Sequence, residues 1–264
     1  MSEDVFFDLG DRRLRGRWIA PPDGTDPGEV PTLVFLHEGL GCIELWRDFP
    51  AKLCVATGCR GLVYDRTGYG RSSPWPATPP GNYMDVEADR VLPKLLEAAG
   101  ISDVILVGHS DGGTIALSYA ANDPAPLLGL VTLAAHVINE PHGLDSIRQT
   151  RTAYESGTLR NRLARYHDNV DATFYFWCEA WLASGFEPMD ADRRLPAVQV
   201  PVQAMQGEDD VYGSELQLGL IAGKVGGYCE TRLIPACGHS VHLDQPARAL
   251  AEMARFIAPL LLAV

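Results

Sequence analysis

The sequence predicts an α/β fold: a mostly parallel sheet of eight strands with helices on both faces. Short apolar runs bounded by glycine, proline or polar turn residues recur along the chain, and segments of helical character separate most of them. Strands that alternate with helices pair in parallel, because each helix returns the chain over the sheet. The interval from residue 136 to 195 lacks a convincing strand, which predicts a helical insertion before the seventh strand.

The strands follow in chain order. Residues 5–9 and 14–20 flank the turn residues Gly10 and Asp11 and therefore predict a hairpin. A loop rich in proline, glycine and aspartate covers residues 21–31. Six short runs, mostly apolar and typical of buried parallel strands, complete the sheet: 32–37, 60–64, 103–107, 128–134, 200–206 and 229–234.

Helices are predicted between these strands over 43–57, 82–99, 112–121 and 214–224, with a closing helix over 246–262. Three more helical segments, 144–154, 158–166 and 171–183, fill the insertion. The predicted domain organisation is therefore a core made of residues 1–135 and 196–264 and a helical cap made of residues 136–195.

Composition excludes several classes of protein. Of the 264 residues, 46% are apolar and 21% charged, which fits a folded globular chain rather than a disordered one. The net charge of −12 repels phosphate backbones and anionic lipids, so neither nucleic acid nor a membrane is expected as a partner. A small-molecule substrate is expected instead, and the sequence gives no oligomeric state.

The six cysteines form no CxxC pair, so we expect free thiols and no structural zinc. The first ten residues lack the basic and apolar regions of a signal peptide, and no apolar run is long enough to cross a bilayer. These features predict a cytoplasmic protein. No residue pattern implies a metal or an organic cofactor.

The pentapeptide Gly108-His109-Ser110-Asp111-Gly112 lies between a predicted strand and a predicted helix. A strand–turn–helix around G-x-S-x-G is typical of a nucleophile elbow, in which a strained turn exposes the serine hydroxyl. The helix N-terminus then directs backbone N–H groups toward an anion. The alternative is that Ser110 only caps the helix, but a cap does not need glycine on both sides.

A serine nucleophile needs a base, and the base needs an acid that fixes its tautomer. His239 follows the last predicted strand, and Asp209 and Asp210 follow the strand before it. All three lie where the carboxyl ends of parallel strands meet. A turn can present either aspartate, so spacing alone leaves both open. His242 is the competitor to His239, but it lies farther from the strand.

Other histidines are also near the predicted site. His37 and His109 are expected to shape their loops, whereas His136 ends a strand, opens the insertion and is a candidate for the pocket wall.

Taken together, these residues resemble the α/β-hydrolase superfamily, in its branch of small cap-bearing esterases, lactonases and C–C hydrolases. The resemblance covers almost the whole chain. Its motifs are the loop 37–41 (HEGLG), the D-x-x-G-x-G-x-S loop 65–72, the elbow 108–113, the G-x-x-D segment 207–210 and the G-H-S segment 238–240.

The resemblance implies that Ser110 is the nucleophile, His239 the base and Asp210 the orienting acid. It also implies an oxyanion hole made by the backbone N–H groups of Gly39 and Asp111. Relatives that attack with an aspartate, such as haloalkane dehalogenases and epoxide hydrolases, are excluded because this chain has Ser110 at that position.

One residue departs from the family pattern. Glu38 stands where the family has glycine, next to the predicted oxyanion hole. Either its carboxylate turns away and bonds a neighbouring loop, or it meets a positive or hydroxylated part of the substrate. The sequence leaves both alternatives open.

The predicted cap is rich in aromatic residues. Trp177 and Trp181 are four residues apart and therefore share a helix face, so one or both could reach the pocket. Docking of the cap onto the core is the alternative role. Five arginines between residues 136 and 167 either bind a substrate carboxylate or form a solvated helix face: Arg148, Arg151, Arg160, Arg162 and Arg165.

Three functions fit this sequence. The first is hydrolysis of a carboxylic ester or lactone of a small, partly apolar substrate through an acyl-serine intermediate. The second is hydrolysis of a carbon–carbon bond in a vinylogous diketone by the same triad. The third is a non-catalytic ligand receptor on a hydrolase frame, which loss of turnover in Ser110→Ala would reject.

Overall fold

The computed structural model describes residues 3–22, 30–75 and 81–263, so most of the predicted loop over 21–31 lies outside the described residues. The described strands form one sheet of eight. Each predicted strand is confirmed, with bounds shifted by at most two residues. They are β1 (Asp4–Asp8), β2 (Arg13–Ile19), β3 (Thr32–Leu36), β4 (Arg60–Tyr64), β5 (Val104–His109), β6 (Leu127–Leu133), β7 (Val202–Gly207) and β8 (Cys229–Ile234).

The strand order is β1-β2-β4-β3-β5-β6-β7-β8. The β1–β2 hairpin is antiparallel, and β2 also pairs antiparallel with β4. All other neighbours are parallel, so β3, β5, β7 and β8 end at the same edge of the sheet. This edge is where open α/β sheets place their sites, because loops from several strands converge there.

The helices confirm the predicted alternation. The described ones are α1 (Phe49–Thr57), α2 (Tyr83–Val86), α3 (Leu92–Ala98), α4 (Asp111–Ala120), α5 (Pro141–Glu155), α6 (Thr158–Leu163), α7 (Val170–Leu182), α8 (Ala191–Arg194), α9 (Glu215–Lys224), α10 (Val241–Asp244) and α11 (Pro246–Ile257). Short 3₁₀ segments cover Ile43–Trp46, Leu195–Ala197 and Ala258–Ala263. Within the described part of the chain, no helix has the length and apolarity needed to cross a bilayer.

Prolines explain where two predicted helices depart from regular α-helical geometry. The helix predicted over 82–99 contains a π-helical turn, Glu87–Val91, directly before the turn that holds Pro93. Proline has no N–H and its ring collides with the carbonyl four residues earlier, so a wider turn relieves the conflict. Likewise, α11 ends before Pro259, which lies in the closing 3₁₀ segment.

Two apolar clusters hold helices on opposite faces of the sheet. Residues of β3 and β5 are fully buried, as expected for parallel strands that are covered on both sides. Leu53 of α1 and Phe256 of α11 belong to one cluster. Ile115 of α4 and Leu218 of α9 belong to the other.

Four helices, α5 to α8, lie between β6 and β7. The three helical segments predicted there are present, and α8 was not predicted. Helix α7 is bonded to the core, since Thr173 Oγ1 donates to the Gly68 carbonyl at 2.7 Å and Trp181 Nε1 donates to Tyr83 Oη at 3.2 Å. The division into a core and a cap of residues 136–195 stays a prediction.

Candidate active site

Ser110 lies in the turn between β5 and α4 with φ 53° and ψ −119°, a backbone conformation that residues other than glycine rarely adopt. The flanking glycines explain how the turn fits. A Cβ at Gly108 would collide with the backbone of Gly112, and a Cβ at Gly112 would collide with the carbonyl of Leu36. The glycines therefore let helix and strand approach closely, and the serine takes up the backbone strain.

Two residues that line the cavity beside Ser110 have unengaged backbone N–H groups. Asp111 is the first residue of α4, and Gly39 lies in the loop after β3; both line the same cavity as Ser110. Among the described residues, neither N–H donates to a protein acceptor. The Asp111 carboxylate is turned away, accepting from Tyr83 Oη at 2.6 Å and from Trp181 Nε1 at 3.3 Å. These N–H groups are thus available to an oxygen bound near Ser110.

His239 follows β8 and is held by Asp210, which follows β7. The distance from His239 Nδ1 to Asp210 Oδ2 is 2.8 Å. A hydrogen on Nδ1 then leaves Nε2 free to accept a proton. Asp210 is buried and also accepts from the Tyr212 N–H at 2.8 Å and from Gln206 Nε2 at 2.5 Å. Asp209 is exposed, so the structure places Asp210 against the ring.

Electrostatics keeps Asp210 ionised. Burial by itself raises the pKa of a carboxylate, but the hydrogen bonds from His239 and the Tyr212 N–H and the electrostatic attraction of the neighbouring imidazole together lower the pKa of Asp210 below its usual value. The acid therefore remains an acceptor for His239 Nδ1–H.

The remaining histidines have different environments. His242 packs 4.6 Å from the ring of Trp46, and burial lowers its pKa to about 3, so it is a neutral core residue. His136 lines the cavity with its ring 5.7 Å from that of His239, and burial lowers its pKa to about 3 as well. His37 and His109 bond to loop carbonyls, of Glu38 at 2.7 Å and of His239 at 2.9 Å respectively.

Glu38 lies at the cavity edge with 24% of its side chain exposed. Its carboxylate lies over Gly41, where a Cβ would collide with it, and Oε2 is 3.4 Å from His109 Nδ1. Burial raises the pKa of Glu38, but the nearby His109 ring lowers it well below the usual range. The carboxylate therefore lies next to His109, the last residue of β5, rather than pointing toward Ser110.

The cavity that contains these groups has a volume of about 140 Å³. Every residue predicted to contact substrate lines it: Glu38, His136, Trp177 and Trp181. Leu144 and Ile147 of α5 form a further apolar wall, and Tyr212 packs 4.8 Å from the His239 ring. Asp210 lies behind His239 rather than in the wall.

Comparison with known proteins identifies the fold family. A model of the alpha/beta hydrolase fold family matches residues 31–175, which carry the elbow and the first loop. The chain belongs to the α/β-hydrolase fold family. The protein is accordingly an α/β-hydrolase enzyme, with curated relatives among esterases and hydrolases.

Two relatives show the range of the similarity. A bifunctional esterase/perhydrolase from Acinetobacter calcoaceticus is 26% identical over 73% of this chain and 82% of its own length. A 2-succinyl-6-hydroxy-2,4-cyclohexadiene-1-carboxylate synthase from Salmonella paratyphi A is 35% identical over 88% of this chain and 96% of its own.

Solved structures support the fold. A proline iminopeptidase from Mycobacterium smegmatis superimposes with a TM-score of 0.78 at 18% identity, covering 99% of both chains. A naproxen esterase from Bacillus subtilis gives a TM-score of 0.73 at 17% identity, covering 97% of this chain and 92% of its own.

This α/β hydrolase has one cluster of described residues with metal-ligand chemistry: Cys42, Glu44 and Asp65. The Arg15 guanidinium occupies it, at 2.5 Å from Glu44 Oε1 and 3.2 Å from Asp65 Oδ2. Asp65 Oδ1 also accepts the Ile43 N–H at 2.8 Å. Both carboxylates of this cluster are thus already paired with a side chain.

Sequence reasoning missed several residues at the site. Tyr212 and Gln206 fix the Asp210 carboxylate, and Tyr83 fixes that of Asp111. Tyr212 had a local signal, because the N–H two residues after an aspartate often bonds its side chain in a turn. Tyr83 had none, because its partner is 28 residues away in the chain.

Glu38→Gln is expected to make the stability difference from wild type depend on pH. Burial lowers the pKa of His109, but the Glu38 carboxylate more than offsets this, so the pKa of His109 is raised. A raised pKa of His109 stabilises the fold below about pH 6.5, and this stabilisation disappears as the pH rises through the raised pKa. The lowered pKa of Glu38 stabilises the fold above about pH 4.5, and this stabilisation disappears as the pH falls through the lowered pKa. The variant should therefore be less stable than wild type by on the order of 1 kcal/mol at pH 5.5.

Urea unfolding of both proteins at pH 5.5 and 8.5 measures this difference. The exposed Glu97 on α3 supplies the control Glu97→Gln, which should show no such pH dependence. An equal loss of stability at both pH values for Glu38→Gln would contradict the pairing with His109.

Proposed function

We propose that this α/β hydrolase cleaves a carboxylic ester or lactone of a small, partly apolar substrate through an acyl-serine intermediate on Ser110. The observation that carries the proposal is the convergence, in one cavity, of Ser110 at a strained turn, the Asp210-bound ring of His239 and two unengaged backbone N–H groups. Nucleophile, base, orienting acid and oxyanion donors are the parts that acyl transfer requires.

In the proposed reaction, Ser110 Oγ attacks the substrate carbonyl carbon while His239 Nε2 takes the hydroxyl proton. The carbonyl oxygen becomes an oxyanion, and the N–H groups of Gly39 and Asp111 donate to it. Each such donor contributes on the order of 3–4 kcal/mol to the transition state. The bond to the leaving alcohol then breaks, and His239 returns the proton to the alcohol oxygen.

Water completes the cycle. His239 takes a proton from a water molecule as its oxygen attacks the acyl carbon, and the same two N–H groups bind the second oxyanion. Collapse breaks the bond to Ser110, which regains the proton from His239, and releases the carboxylic acid. Asp210 keeps the proton on His239 Nδ1 throughout, so that Nε2 alone exchanges protons with the reactants.

We further propose that residues 136–195 act as a cap over the serine. Leu144 and Ile147 of α5 and both tryptophans of α7 line the cavity that contains Ser110. A volume of about 140 Å³ is well below the roughly 300–1,000 Å³ of clefts for drug-sized ligands. Both observations support a short acyl group and disfavour long-chain lipids.

Charge in the cavity supports an uncharged substrate at the reacting centre. Among the described residues, its lining includes Glu38 and Glu140, along with Asp111 whose carboxylate is turned away, but no lysine or arginine. Arg148, Arg151 and Arg160 form exposed ion pairs on the helices, which supports a solvated helix face over contact with a substrate carboxylate. A substrate carboxylate at the cavity would meet like charge.

The test compares p-nitrophenyl acetate, butyrate, octanoate and hemisuccinate with wild type and Ser110→Ala. We expect turnover of the acetate and butyrate esters, with kcat/KM at least about 10-fold lower for octanoate because the cavity is small. The hemisuccinate, which matches butyrate in length but adds a carboxylate, should be about 10-fold poorer than butyrate.

Release of p-nitrophenolate is followed by its absorbance, and the alanine variant gives the background. Wild-type protein that is inert toward every ester would contradict the proposal, and turnover of a vinylogous diketone instead would favour carbon–carbon hydrolysis. Equal rates for hemisuccinate and butyrate would contradict only the inference that the cavity disfavours a charged substrate.

A further inference from the structure

Arg66 lies two residues after Tyr64, the last residue of β4, and its side chain is fully buried. The guanidinium stacks on Tyr69 at 4.5 Å, and Nε and Nη1 have no hydrogen-bond partner among the described residues. Burying a cation costs free energy unless its partners compensate for lost water. The compensating contacts of Arg66 are therefore those of Nη2, the one side-chain nitrogen that donates hydrogen bonds to described residues.

Nη2 donates to the carbonyl oxygen of Glu38 at 2.9 Å. His37 reinforces this contact. Its Nε2 accepts the Arg66 N–H at 3.0 Å, so its hydrogen is on Nδ1, which donates to the same Glu38 carbonyl at 2.7 Å. Burial also keeps the pKa of His37 well below its usual value, so the ring is neutral.

The Glu38 carbonyl belongs to the same peptide group as the Gly39 N–H. A trans peptide is planar, and its C=O and N–H point in opposite directions. Fixing the carbonyl oxygen against Arg66 therefore fixes the direction of the Gly39 N–H at the cavity wall.

The same nitrogen reaches the second donor residue. Arg66 Nη2 lies 3.4 Å from Asp111 Oδ2, and this carboxylate also accepts from Tyr83 Oη. Asp111 carries the other N–H at the cavity, at the start of α4. One buried guanidinium thus contacts the residues of both N–H groups, although Arg66 itself does not line the cavity.

We propose that Arg66 is a positioning residue that sets the spacing and direction of the two oxyanion-hole donors, Gly39 and Asp111. The inference rests on the proposed serine hydrolase function. Arg66 touches no reacting atom. It acts through the Glu38 peptide and the Asp111 carboxylate, and its effect falls on the oxyanion rather than on substrate binding.

The test measures p-nitrophenyl butyrate hydrolysis and inhibition by a small alkyl trifluoromethyl ketone in wild type and Arg66→Met. Ser110 adds to such a ketone to give a hemiketal oxyanion in the same hole. We expect kcat to fall about 10- to 100-fold with KM changed less than about 3-fold, and the inhibition constant to rise by the same factor as kcat falls.

Arg194→Met is the matched control. Arg194 is also buried, pairs with Asp89 at 2.8 Å and donates to the Ser118 carbonyl, but it lies outside the cavity lining. Its loss should lower the unfolding temperature and leave kcat and the inhibition constant as in wild type. Arg66→Lys keeps the charge without the planar fork, so it should regain stability but recover kcat only in part.

A folded Arg66→Met that keeps wild-type kcat and inhibition would overturn the inference, as would a control variant with the same losses. If Arg66→Met does not fold, Arg66→Lys decides: full wild-type kcat and inhibition overturn the inference, and parallel losses support it. Failure of the proposed hydrolase function would give a different result. The ketone would then not inhibit the wild-type protein, and Ser110→Ala would hydrolyse the ester at the wild-type rate; that result overturns both proposals.

Discussion

Ser110→Ala is expected to lower kcat for p-nitrophenyl butyrate by about 10⁵- to 10⁶-fold, with the fold unchanged. Removing the hydroxyl removes the only atom that forms the acyl bond in the proposed mechanism, so the remaining rate reflects binding and the two N–H donors alone. Rates from steady-state assays and circular dichroism spectra of both proteins measure the effect.

Ser118→Ala gives the control, because Ser118 is a buried serine of α4, the helix that follows Ser110, and its hydroxyl bonds Asp85 at 3.3 Å, outside the cavity lining. It should retain the wild-type rate. A folded Ser110→Ala with more than about a hundredth of wild-type activity would refute an acyl-serine on this residue.

Asp210→Asn is expected to lower kcat by about 10⁴-fold while preserving the fold. The carboxylate accepts the hydrogen on His239 Nδ1 at 2.8 Å, whereas an amide can present an N–H there instead. The ring would then carry its hydrogen on Nε2 and could not take the proton of Ser110. Steady-state rates between pH 6 and 9 measure the loss.

Asp209→Asn removes the neighbouring carboxylate, which is exposed, and should leave kcat within about 2-fold of wild type. The reverse pattern, with Asp209→Asn inactive and Asp210→Asn active, would show that the acid is misassigned.

The sequence predicted the sheet well because the residues that mark the ends of each strand are adjacent to it in the chain. Glycine, proline and polar residues bound each apolar run, and every strand lies within two residues of its prediction. The helix over 82–99 was predicted without its π-helical turn, although Pro93 was visible in the sequence. Helix α8 was missed because four residues carry too little periodicity to detect.

The residues of the candidate site also fall into those that a local sequence pattern marks and those that depend on contacts distant in the chain. Ser110 and His239 are marked by adjacent glycines and preceding strands, so local pattern was enough to choose them. Asp210 could not be separated from Asp209 by spacing, because the choice depends on which carboxylate the turn buries. Arg66 was seen only as part of a loop motif, because its contacts with Glu38 and Asp111 span 28 and 45 residues.

The positive φ of Ser110 has a consequence for how this protein can change under selection. A non-glycine residue in such a conformation costs on the order of 1–3 kcal/mol of folding free energy. The residue best for stability at position 110 is therefore glycine, and the residue needed for the proposed chemistry is not. Selection for thermal tolerance alone would act against the nucleophile, so its persistence depends on a continuing demand for turnover.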